Sequence, residues 1–154
     1  MAAPSRKSDP MQEQQNIDLV KRLYEAFGKG DIDTIIGSLA NQLVWRFDAP
    51  SVIPYAGEYK TPDQVKEGFF GSLASTQKDY ALKTDEFIAQ DDKVIMVGSY
   101  GATVNATGKR FDLPLVHVWM IQDGKVKRFV NFTDTAKVAE AYGVEGGVPP
   151  TWKP

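Results

Sequence analysis

Apolar residues recur three and four positions apart from Ile17 to Phe27, through Val20, Leu23 and Tyr24, while Asp18, Lys21, Arg22 and Glu25 fill the gaps. That spacing predicts a helix with one apolar stripe. Asp9 as N-cap, Pro10 at the first helical position and Gln12 closing a capping box mark its start, and Gly28 and Gly30 stop it. Asp31 then caps a short second helix on which Ile32, Ile35, Ile36 and Leu39 share a side. Leu43 to Phe47 reads as a strand, and the breakers Pro50, Pro54 and Gly57 make the following stretch a loop suited to a pocket rim. Thr61, Pro62 and Gln64 repeat the cap and proline pattern, so a third helix runs to about Ser75 with Val65, Phe69 and Leu73 inward.

Beyond that helix the period changes from helical to alternating. Tyr80 to Ala89 and Lys93 to Val104 read as strands joined at Gln90-Asp91-Asp92, and Leu113 to Ile121 and Val126 to Thr133 form a hairpin closed by Asp123-Gly124. Alternation puts His117 on one face with Leu113, Leu115, Trp119 and Ile121, and Val116, Val118 and Met120 on the other. An imidazole among Leu and Trp costs free energy unless something bonds it, so His117 needs a structural partner, for which Asn131 across the hairpin is the nearest candidate, or a job. Asp134 or Thr135 caps a last short helix with Val138 and Tyr142, ended by Gly143.

Helices first and a meandering sheet afterwards make an α+β domain, in which a curved antiparallel sheet wraps three N-terminal helices and leaves a conical hollow for a small ligand. Residues 1–8 read as a loose start, 9–143 as one domain, and 144–154 as an extended proline-rich tail. The outer sheet face, with Val116, Val118 and Met120, is apolar enough to predict a homodimer packed sheet against sheet.

Composition removes several function classes. The 154 residues carry a net charge of -2, which supplies no basic footprint for nucleic acid or anionic lipid, and no run is long enough to span a membrane. No apolar core of a secretory signal follows Met1, so a cytoplasmic protein is expected. The absence of cysteine and the single histidine argue against a metal site, and no dinucleotide, Walker or serine-elbow motif occurs, so no cofactor is expected. The chemistry that remains is proton transfer beside a carbonyl, which needs a base near an acidic C–H and donors at the forming oxyanion in a water-poor pocket. Asp48 is the candidate base, raised toward neutrality by burial, with neutral His117 and Tyr24 or Asn131 as the donors. Trp45, Tyr55, Trp119 and Phe129 would form aromatic walls for a flat, ring-shaped substrate. In plainer roles Asp48 is a turn residue, Asp134 a helix cap, and Tyr24 and Trp45 core.

The segments LYEAFGKGDIDTI, LVWRF, PYAGEYKTPDQV and LVHVWMIQDGKVKRF, with the DTA that follows, resemble the SnoaL-like branch of the nuclear transport factor two-like superfamily, from about Gln12 to Tyr142. That branch includes polyketide cyclases and is similar in fold to ketosteroid isomerase. The resemblance implies an acid/base histidine at His117 and an acidic partner on the next strand, where this chain has Asn131, an amide that cannot transfer a proton as a carboxyl does. The likeness to ketosteroid isomerase implies a base at Asp48 and an oxyanion tyrosine at Tyr24, beside Leu23. Two functions follow as expectations: a cofactor-free isomerase, cyclase or hydrolase acting on an apolar ring-containing or carbonyl substrate, or a non-catalytic binding protein with the same pocket.

Overall fold

The structure is a computed structural model that describes residues 9–144. The expectations for residues 1–8, and for the tail beyond Val144, lie outside the described residues. The elements in order are α1 (Pro10–Gly28), α2 (Ile32–Gly37), β1 (Leu39–Phe47), β2 (Gly57–Tyr59), α3 (Pro62–Gln64), a π-helical stretch (Val65–Phe70), α4 (Gly71–Thr76), β3 (Gln77–Gln90), β4 (Lys93–Val104), β5 (Arg110–Gln122), β6 (Lys125–Thr133) and α5 (Thr135–Ala141).

Local chemistry sets most of these boundaries. Asp9 accepts from the backbone N–H of Met11 at 3.0 Å, Asp31 from Thr34 at 3.2 Å, Thr61 from Gln64 at 3.2 Å and Asp134 from Lys137 at 3.2 Å, so each predicted cap satisfies a free helical donor. Gln12 does not close a capping box; its Nε2 donates to Asn16 Oδ1 at 3.1 Å instead. Asp123 and Gly124 both have positive φ, 52° and 72°, the backbone that a two-residue hairpin turn requires. Leu39 opens β1 rather than closing α2, and the third helix is broken into two short α segments around the π-helical stretch. The wider π turn lets Val65, Phe69 and Phe70 all be buried on one side, which α-helical spacing did not foresee for Phe70.

The six strands form one sheet in the order β2-β1-β6-β5-β4-β3, antiparallel throughout except for the parallel pair β1 and β6. Register irregularities at Thr84/Glu86 in β3 and Met120/Ile121 in β5 bend the long strands, and α1 packs across β3 and β4 on the concave face. The core under the sheet is aromatic: Trp45, Phe47, Tyr55, Phe69, Phe70, Phe111, Trp119 and Phe129 are all buried. Among the described residues no helix is long and apolar enough to cross a membrane.

Candidate functional site: an apolar cavity around Tyr24 and His117

The concave face encloses a cavity in which about 70 Å³ is open to the centre of a water molecule. Tyr24, Trp45, Tyr55, His117, Trp119, Phe129 and Asn131 all line it. Seven of the eight residues expected at the site are therefore brought together from α1, β1, β5, β6 and the loop after β1.

Asp48 is the exception. Alternation along β1 turns Trp45 and Phe47 inward, which carries Arg46 and Asp48 to the other side. There the Asp48 carboxylate is well exposed and pairs with the Arg46 guanidinium at 2.6 Å. The Arg46 hydrogen bond holds the carboxyl below the usual range, the reverse of the raised value a buried base would need. No Asp or Glu replaces it among the cavity-lining residues, and among the described residues no group of three His, Cys, Asp or Glu could hold a metal ion.

His117 is 6 % exposed, and its short hydrogen-bond contact is to α1. Tyr24 Oη lies 2.7 Å from His117 Nδ1, and Trp119 Nε1 donates to the same Tyr24 oxygen at 2.9 Å. The indole can only donate, so the Tyr24 oxygen accepts there, and the pairing that also gives the buried phenol proton an acceptor is the one with His117 Nδ1. In that tautomer the imidazole proton sits on Nε2. Asn131 faces His117 in register across β5 and β6; its amide interacts with the imidazole and favours its charged form, while the buried Asn131 Oδ1 makes no hydrogen bond of good geometry among the described residues. Tyr24 on α1 occupies Nδ1, so the short bond to the ring comes from the helix packed over the sheet.

Burial pushes the His117 imidazole down from 6.5 to about 3, opposed by hydrogen bonding to the Asn131 side chain. Burial likewise raises the Tyr24 phenol well above its ordinary range, against the pull of the Trp119 N–H. At neutral pH both are uncharged: a protonated phenol bonded to a neutral imidazole. Phe129 packs against His117 at 4.7 Å between ring centroids and stacks on Trp45 at 4.0 Å, so apolar surface surrounds the pair.

A sequence model of the SnoaL-like domain matches residues 20–129. The chain belongs to the SnoaL-like domain family. Among solved structures, an NTF2-like protein of Burkholderia thailandensis is 32% identical to this SnoaL-like domain, covering 84% of this chain and 98% of its own, with a TM-score of 0.78. TerC, solved in crystals grown with polyporic acid, is 25% identical over 84% of this chain and 98% of its own, with a TM-score of 0.75. A Jannaschia protein described as a SnoaL-like polyketide cyclase is 19% identical over 95% and 100% of the two chains, at a TM-score of 0.73, and shares the fold. A search of curated proteins finds no match.

Sequence reasoning missed Phe69, Phe70 and Tyr100 as cavity lining, and Gln77 as a buried polar residue. Gln77 stands where the period offered only a connection between helix and strand. The alternation of β4, extended forward from Met96 through Gly98, would have put Tyr100 on the inner face.

Proposed function

We propose that this SnoaL-like domain takes a small, largely apolar, ring-containing molecule by one oxygen, held between His117 Nε2–H and Asn131 Oδ1. The 2.7 Å contact between Tyr24 Oη and His117 Nδ1 carries the reading, because it commits one ring nitrogen and leaves the other as a donor beside an unpaired acceptor. A hydroxyl or enol oxygen suits both, accepting from Nε2–H and donating to Oδ1. The relative TerC, which was co-crystallised with polyporic acid, makes that compound the first probe.

A second reading, a cofactor-free isomerase, cyclase or hydrolase, is favoured by the neutral imidazole in a water-poor cavity, which can stabilise negative charge growing on a substrate oxygen. Against it stands the missing carboxylate. Proton abstraction from carbon would fall on His117, whose basicity burial has lowered. Binding is the better-supported function.

Calorimetric titration with polyporic acid tests both. Replacing His117→Phe or Asn131→Leu should weaken binding roughly tenfold or more, the usual cost of leaving a buried polar partner unpaired, while Asp48→Asn leaves it unchanged. Unaltered affinity in the His117→Phe protein would sink the proposal. Consumption of the probe by the wild type but not by that variant would favour catalysis over binding.

We also propose a homodimer through the outer sheet face. Ile88, Ile95, Val118 and Val130 lie in register across four strands, flanked by the row Val97, Val116 and Phe132, and Phe132 is 56 % exposed. Such a belt is better covered than wetted. Sedimentation should show a dimer for the wild type and a monomer for the double variant Val116→Lys, Phe132→Lys; a monomeric wild type at micromolar concentration would refute the pairing.

A further inference from the structure

A second polar system reaches the cavity through a wall that the Tyr24–His117 pair does not touch. It starts at the backbone carbonyl of Ser72 in α4, to which Thr76 Oγ1 donates at 2.7 Å. A carbonyl only accepts, so the single Thr76 proton is committed there. Tyr142 Oη lies 2.8 Å from the same Thr76 oxygen and must therefore be the donor between them. With its proton spent, Tyr142 can only accept from Gln77, so the amide NH₂ of Gln77 is what faces it, at 2.9 Å. This settles the orientation of the Gln77 amide. Its other N–H donates to Tyr55 Oη at 3.0 Å, and its Oε1 accepts from Tyr100 Oη at 2.7 Å.

One proton is left over. Tyr55 Oη accepts from Gln77, but its own proton has no acceptor among the described residues, although Tyr55 is only 3 % exposed and lines the cavity. A buried donor without an acceptor is costly. The Gln77 N–H that it accepts polarises the phenol and makes it a stronger donor, as in any chain of hydrogen bonds running one way. Burial also keeps Tyr55 protonated.

We propose that Tyr55 Oη is a second ligand contact, donating to a carbonyl oxygen, so that the ligand is a ring compound with a hydroxyl for His117 and Asn131 and a ketone or quinone oxygen for Tyr55. The inference rests on the binding reading above and sharpens it to a substrate class. Tyr142, which does not line the cavity, is then a positioning residue: it holds the Gln77 amide so that Oε1 cannot turn to take the Tyr55 proton.

The test compares two probes that differ at one end, 4-hydroxyacetophenone and 4-ethylphenol, by calorimetric titration of the full chain. The wild type should prefer the ketone about 3–10-fold, the worth of one neutral hydrogen bond. Tyr55→Phe should bring the ratio to about one by weakening 4-hydroxyacetophenone binding more than 4-ethylphenol binding, and Tyr142→Phe should lower the ratio too, because the amide is then free to rotate. A merely structural Tyr142 would leave that ratio untouched. Full ketone preference in Tyr55→Phe overturns the inference; if that variant does not fold, an unchanged ratio in Tyr142→Phe overturns it. Equal binding of the two probes by the wild type removes this inference alone, whereas binding of neither removes the general reading with it.

Discussion

Lowering the pH from 6.5 to 4.5 should cost this domain roughly 2–3 kcal/mol of folding stability through His117 alone, at about 1.4 kcal/mol per pH unit. In the folded state the imidazole stays neutral down to about pH 3, whereas in the unfolded chain it takes up a proton near 6.5. The unfolded state therefore binds more protons throughout that window. Stability from this group is complete above 6.5 and drains away as the pH falls toward 3, a total on the order of 4–5 kcal/mol. The physical cause is the apolar, aromatic setting of the ring, and a proton on Nδ1 would also displace the Tyr24 proton from its acceptor. The protein has one histidine, so the measurement is clean: urea unfolding of the wild type and of His117→Gln at half-unit steps, with the variant supplying the carboxylate background. Parallel curves for the two proteins would mean that the folded state accommodates the charge and that the ring is wetter than its packing indicates.

Replacing Trp45→Ala should cost about 3–5 kcal/mol, the range for removing a large aromatic side chain from a close-packed core. Trp45 is 2 % exposed, stacks on Phe129 at 4.0 Å, and meets Phe69 and Phe70 at 5.4 and 5.6 Å between centroids. Among the described residues its indole N–H has no hydrogen-bond partner. Trp45→Phe keeps most of the ring contact and removes that stranded donor, so the two effects oppose each other and the loss should stay below about 1.5 kcal/mol. Equilibrium unfolding of the two variants checks the pair of values. Equal losses would mean that the N–H, and not the ring, carries the stability of this position.

The helices and strands of this domain were legible because their signals are local. Asp9, Asp31, Thr61 and Asp134 announce their helices by chemistry within four residues, and Asp123-Gly124 sets a hairpin that puts His117 opposite Asn131. The SnoaL-like resemblance was legible in the same segments. Alternation from Trp45 and Phe47 turns Asp48 outward, and this local period prevails over its likeness to a base position. The π-helical stretch was not legible, since nothing in VKEGFF distinguishes a wide turn from an α-helical one before Trp45 and Tyr59 pack against it.

What the chain determined by itself is the order of its elements, the inward face of β5 and the aromatic character of the hollow, all consequences of spacing and of caps that act within a few residues. Which groups meet in that hollow was decided only by tertiary packing. Tyr24 reaches His117 from 93 positions away, and Gln77 gathers Tyr55, Tyr100 and Tyr142 from three separate elements. Hydrogen bonds of that kind depend on where a helix crosses a bent sheet to within an ångström, and no repeat of apolar and polar letters encodes that distance.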